Sequence, residues 1–195
     1  MILVDSHCHI DFPDFVDTLD EVLERAESVG VGYLLCVSVN LSDLDKIIEI
    51  TKRYTNEFAT AGVHPNHDQG VFDSPTYLQL REASTNHAVV AVGETGLDYY
   101  RSQGDLTWQQ DRFRKHIGVA REVGKPIIVH TRQASKDTIS VMREERASDI
   151  GGVMHCFSED WPTAKAALDM GFYVSISGIV TFKNADTVRE IAKKI

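Results

Sequence analysis

Short apolar runs alternate with amphipathic stretches along the whole of this 195-residue chain, and that alternation limits the folds open to it. The first run is Ile2–Val4, leading into His7. A helical pattern follows over Leu19–Val29, with Leu19, Val22, Leu23 and Ala26 on one face and Gly30 and Gly32 behind it. Further strands are expected over Tyr33–Val39, Phe58–Val63, Ala88–Val92, Ile127–His130, Gly152–His155 and Phe172–Ser177. Helices are expected over Leu44–Tyr54, Thr76–Ser84, Trp108–Val123, Lys136–Glu145, Thr163–Met170 and Ala185–Ile195. The strands read as continuous Val/Ile-rich runs, as parallel strands do when both faces are covered. The class is therefore α/β.

An open doubly wound sheet and a closed barrel both fit this pattern. No Gly-x-Gly-x-x-Gly follows the first strand, so the nucleotide-binding version loses support. A (β/α) barrel closes with eight strands over about 250 residues, and seven strand–helix units are legible here. The expectation is one TIM-type barrel domain over residues 1–195, with its eighth strand missing because the chain is truncated at the C-terminus.

Composition narrows the function classes. No run approaches the roughly 18 apolar residues of a membrane helix. The start MILVDSHCHI has no basic segment of the kind a signal peptide carries, so a cytoplasmic protein is expected. An odd count of three cysteines without tight spacing argues against a disulfide framework. Cys8, Cys36 and Cys156 read as small buried thiols, although Cys8 and Cys156 adjoin histidines. The net charge of −9 argues against an extended basic surface for gripping duplex DNA. A nuclease of this charge would hold phosphates locally, through metals and a few cationic side chains.

The chemistry gathers at strand ends. His7 and His9 are two apart, so on a strand both imidazoles face one way and can aim at one ion. Asp5, one step deeper, would either orient an imidazole or be a buried, hydrogen-bonded carboxylate. Glu94 ends AVVAVGE, His130 ends PIIVH and His155 ends GGVMH. In a barrel, catalytic groups from several strands meet at the C-terminal rim. Imidazoles with a carboxylate suit Zn, Mn, Fe or Ni, and one carboxylate among four histidines could bridge two ions.

His64 in AGVHP, Arg101 in the loop after Glu94, and Arg132 after His130 are the candidates for holding an anionic substrate. Surface ion pairs are the competing reading for both arginines. No role is assigned to His67, His87 or His116, and Trp108 and Trp161 are read as packing residues.

The segments VDSHCHID, GVHP, VGETGLDYYR, KPIIVHTR, GGVMHCF and YVSISGIVTFKNA together resemble the TatD family of metal-dependent hydrolases. The resemblance runs over essentially the whole chain and keeps the family's order. It implies a TIM-type barrel, two divalent ions (Zn, Mn, Mg, Fe or Ni) and deoxyribonuclease activity. By the same resemblance His7 and His9 bind one ion, Glu94 bridges both and is the catalytic carboxylate, and His130 and His155 bind the second. The family pattern places one more aspartate after the eighth strand, in a segment like Glu-Thr-Asp-x-Pro, and nothing here matches it. The expected activity is hydrolysis of DNA phosphodiesters by a water held between the two ions, on single strands or strand ends. Hydrolysis of an ester, lactone or amide at the same site is one alternative. An inactive metal-binding fragment with exposed strand edges is the other.

Overall fold

A computed structural model describes residues 2–66 and 74–195; His67 lies outside them. Strands and helices alternate strictly. The strands are β1 Leu3–Cys8, β2 Val31–Cys36, β3 Glu57–Ala61, β4 Val89–Asp98, β5 Ile127–Arg132, β6 Gly152–Met154 and β7 Phe172–Val174. The helices are α1 Leu19–Ser28, α2 Leu44–Arg53, α3 Tyr77–Thr85, α4 Thr107–Val123, α5 Ser135–Glu144, α6 Trp161–Asp169 and α7 Asp186–Ala192.

Among the described residues the strands form one sheet in the order β1 to β7, each parallel to the next. The sheet curls as the wall of a TIM-type barrel, with β1 and β7 at its two open edges. Each strand returns to its neighbour through a helix, the connection that parallel pairing requires.

Local chemistry explains the helix ends. Thr76 and Gln79 form a reciprocal capping box at the start of α3. Gly124, with φ 66°, closes α4 in the left-handed conformation. Asp160 caps α6 by accepting the Thr163 N–H, and Pro162 sits in its first turn. In α2, Leu44, Ile47 and Ile48 are buried at positions i, i+3 and i+4, the stripe that docks a helix on a sheet.

Strand residues alternate between two cores. Leu34, Cys36, Ala59 and Ala61 pack with Ile47 and Leu44 in the layer between the sheet and its helices. Leu35 and Val37 turn the other way and meet Ala91, Ile128 and Val153 inside the curl of the sheet. A second helix-side core joins Phe113 and Ile117 of α4 to Val129, Met154, Phe157 and Phe172.

Two strand boundaries differ from expectation in ways that bear on function. β4 does not stop at Val92 but runs to Asp98, so Glu94 is embedded within a strand. Gly93 and Gly96 look like breaks in the sequence, yet they allow strands to crowd together. Gly96 has φ +137°, and a Cβ there would lie 2.0 Å from the His130 carbonyl oxygen. β1 runs on from the expected Val4 to Cys8 and so includes His7. As an edge strand it leaves Ile2 and Val4 more than 60% exposed, at 68% and 61%.

Asp5 departs from both expected roles. It is exposed, and its Oδ1 accepts the His7 backbone N–H at 3.1 Å. Among the described residues it is neither buried nor hydrogen-bonded to an imidazole, standing on β1 at the edge of the sheet. Cys36 is buried as expected, whereas Cys8 and Cys156 are only half-buried. Their thiols meet the Leu35 carbonyl and the Ser177 hydroxyl.

Candidate metal centre

Glu94 stands at the middle of the polar cluster on the rim of the sheet. It is 4% exposed, and its backbone N–H donates to the Ser38 carbonyl at 3.1 Å. Beneath it Thr60 bridges strands, accepting the Ser38 N–H and donating to the Gly93 carbonyl. The two carboxylate oxygens reach in different directions. Oε2 lies 3.3 Å from His7 Nε2 on β1, and Oε1 lies 3.1 Å from His130 Nδ1 on β5. Burial disfavours a charge here, but hydrogen bonds from His130 and His7, with His64 nearby, outweigh it. They hold the carboxyl well below its ordinary pKa.

On the β1 side, His9 directs Nδ1 at the Val37 carbonyl, 3.0 Å away. A carbonyl only accepts, so Nδ1 carries the proton and Nε2 keeps a free lone pair. His7 packs edge-on against His9, with centroids 5.1 Å apart, and lies flat on His155 at 3.4 Å. Nδ1 of His7 is buried without a hydrogen-bond partner. An orphaned polar atom costs about 1–3 kcal/mol, and a ring that serves as a ligand has a reason to tolerate it.

On the β5 side, His130 is held between two carboxylates: Glu94 at Nδ1 and Asp98 at Nε2, the latter 3.0 Å away. Burial works against its protonation, but Asp98 and Glu94 outweigh that and raise its pKa to about 9. His64, from the loop after β3, has Nε2 3.8 Å from Glu94 Oε1. His155 follows β6 directly and rests on His7, nearer to the β1 side than the resemblance implied. Burial lowers the pKa of His64 and of His155 to about 4, so both are neutral at pH 7.

The donor set fits divalent ions. The ligand atoms of His7, His9 and Glu94 lie within 4.8 Å of one another, and those of His64, Glu94 and His130 do the same. Both groups share Glu94, as a carboxylate bridging two ions would. Hydrogen bonding qualifies the second group. His64 Nδ1 accepts the Asn66 backbone N–H at 3.1 Å, which places the ring proton on Nε2 and makes that atom a donor. His64 is therefore better suited to an anionic oxygen than to an ion, and His155, stacked on His7, falls in neither group.

Of the two arginines, Arg101 is exposed but close enough to His64 for its charge to weigh on that ring. Arg132 stacks its guanidinium 3.9 Å from the centroid of Tyr100.

Sequence reading missed the supports behind these groups. Asn66 donates from Nδ2 to Asp98 at 2.7 Å, and fully buried Gln109 accepts the Asp98 backbone N–H at 2.9 Å. His116, to which no role was assigned, accepts the Val63 N–H at Nε2 and donates from Nδ1 to the Arg112 carbonyl. It thereby ties the residue before His64 to α4. The available signal was polar Gln109 and His116 recurring on the apolar face of α4 with Phe113 and Ile117.

Comparison with known proteins supplies the family and the fold. Residues 4–195 match the family described as TatD related DNase. The chain is 42% identical over 198 residues to a protein of Escherichia coli K12 named an uncharacterized metal-dependent hydrolase, YcfH, covering 100% of this chain and 74% of that protein. It is 29% identical over 177 residues to the 3'-5' ssDNA/RNA exonuclease TatD of Edwardsiella piscicida, covering 90% of this chain and 68% of that one. Among solved structures, the TatD homologue YJJV of Escherichia coli K12 superposes with a TM-score of 0.87 at 26% identity, covering 99% of this chain and 74% of that one.

Proposed function

The chain belongs to the TatD related DNase family of metal-dependent hydrolases, and on that premise we propose that it hydrolyses phosphodiester bonds of DNA, acting on single strands or strand ends. The observation that carries the reading is the buried Glu94 carboxylate between His7 of β1 and His130 of β5, with His9, His155 and His64 around it. Divalent ions at such a centre polarise a phosphoryl oxygen and lower the pKa of water.

The protein's own groups have separable tasks. Glu94 stays ionised despite burial and supplies the negative charge that two cations need between them. His7, His9, His130 and His155 offer imidazole nitrogens, and His9 is fixed in the tautomer that frees Nε2. His64 presents an Nε2–H toward the cluster, where it can donate to a non-bridging phosphate oxygen. Arg101 and the stacked Arg132 add positive charge at the rim. The excess of 29 Asp and Glu over 20 Lys and Arg, a net charge of −9, favours local capture of one phosphate over a long duplex track. The exonuclease named among the relatives acts on single strands, which supports the same choice.

The test uses the full chain loaded with Zn, Mn or Mg and single-stranded DNA labelled at one end. Stepwise release of nucleotides is expected, abolished by a chelator and reduced at least 100-fold in Glu94→Gln. Cleavage of a carboxylic ester with DNA left intact would move the reading to ester hydrolysis. Tight ion binding with no turnover of either substrate would leave a metal-binding protein without hydrolase activity.

A further inference from the structure

We propose that Asp98 is a positioning residue that fixes which ring nitrogen of His130 faces the ions, a role that rests on the metal-centre reading above. Asp98 closes β4, four residues beyond Glu94, and is 1% exposed. β5 lies alongside, with Gly96 opposite His130 and Asp98 opposite Arg132. The His130 ring thus spans the gap between the two carboxylates, with Nδ1 3.1 Å from Glu94 Oε1 and Nε2 3.0 Å from Asp98 Oδ2.

The two carboxylates are not equivalent. Asp98 Oδ1 accepts the backbone N–H groups of Tyr100 at 3.0 Å and Arg101 at 2.8 Å. Its Oδ2 accepts from Asn66 Nδ2 at 2.7 Å. Behind these, Gln109 Nε2 donates to Ser102 Oγ at 2.8 Å, and Ser102 Oγ donates to Asn66 Oδ1 at 3.3 Å. Both oxygens of Asp98 are held, so the carboxylate cannot turn away from His130. Glu94 instead faces His7 and His64 as well as His130, in the middle of the candidate ligand set.

A carboxylate so held can only accept, so the nitrogen facing it keeps its proton. An imidazole that binds an ion carries one proton, and its partner decides where that proton sits. Asp98 therefore assigns the proton to Nε2 and leaves the Nδ1 lone pair beside Glu94 Oε1, close enough for both atoms to serve one ion. Asn66 couples this arrangement to the substrate side. Its amide side chain pins Asp98 while its backbone N–H sets the same Nε2–H tautomer in His64, a ring that turns Nε2 rather than Nδ1 toward Glu94. One loop residue thus makes one imidazole a ligand and the other a donor.

Zinc-loaded, ¹⁵N-histidine-labelled full chain can be read by long-range ¹H–¹⁵N correlation, alongside zinc affinity by competition titration. In the wild type His130 is expected to show a protonated Nε2 and a zinc-shifted Nδ1. Asp98→Asn can keep the Tyr100 and Arg101 contacts through its carbonyl while turning an N–H toward His130. It should lose the Nε2–H signature and weaken zinc binding about 10- to 100-fold, with the metal-free melting temperature shifted by only a few degrees. Unchanged tautomer and affinity in Asp98→Asn would overturn the proposal, as would a wild-type spectrum showing zinc on Nε2. The wild-type spectrum alone decides the bound nitrogen if the variant does not fold. Failure of the wild type to take up zinc, manganese or magnesium would instead bring down the metal-centre reading, and this role with it.

Discussion

Single residues here carry opposite responses to pH. His116 is fully buried in α4, and burial lowers its pKa to about 4 from 6.5. The unfolded chain binds a proton below 6.5 that the folded one refuses, so its contribution is complete above pH 6.5 and is lost as pH falls toward 4. The difference is worth about 3 kcal/mol. Urea unfolding at pH 7 and pH 4.5 should show a steep loss in the wild type and a shallower one in His116→Gln, which can keep both hydrogen bonds. Glu57 behaves in the reverse sense. Burial, with the Asp5 carboxylate nearby, raises its pKa to about 7. The folded state then holds a proton that the unfolded state has released, so stability falls as pH rises from about 4.5 to 7. Glu57→Gln should gain about 1–3 kcal/mol at pH 8 and almost nothing at pH 4. Equal gains at both values would show that its carboxylate is ordinary.

Elements matter here through the closeness of their backbones. β4 reaches Glu94 and Asp98 because Gly93 and Gly96 let it press against β5. Gly96→Ala would put a methyl group on the His130 carbonyl, at a backbone angle that alanine avoids. A loss of about 3 kcal/mol or more is expected, together with weaker ion binding, because His130 itself must shift. A melting curve within a degree of wild type would show that the two strands can part without cost. This strand was legible only in part from sequence. Its Val/Ile run ends at Val92, and the glycines beyond read as punctuation until their neighbours are known. The helices were better resolved, since the stripe in α2 and the cap residues of α3, α4 and α6 act within a few positions along the chain.

At the scale of the molecule, β1 and β7 each pair on one side only among the described residues. β1 exposes Val4, with Ile2 exposed just before it, and β7 exposes Tyr173 at 79%. Unpaired strand edges with apolar side chains invite pairing between copies. This 195-residue chain should associate in a concentration-dependent way by sedimentation, and Val4→Lys with Tyr173→Lys should reduce that association. A wild type that stays monomeric at high concentration would show the edges to be adequately protected. Among the described residues no helix is long and apolar enough to cross a membrane.

The α/β class, the strand order's dependence on helical crossovers, and the gathering of His7, His9, Glu94, His130 and His155 at one rim follow from periodicity and from position at strand ends. Those are properties of neighbours in sequence, and parallel topology turns them into neighbours in space. The roles of Asp98, Asn66 and His116, the exposure of Asp5 and the tautomer of His64 were not legible. Each depends on which donor or acceptor from a distant segment arrives within about 3 Å, and only tertiary packing decides that distance.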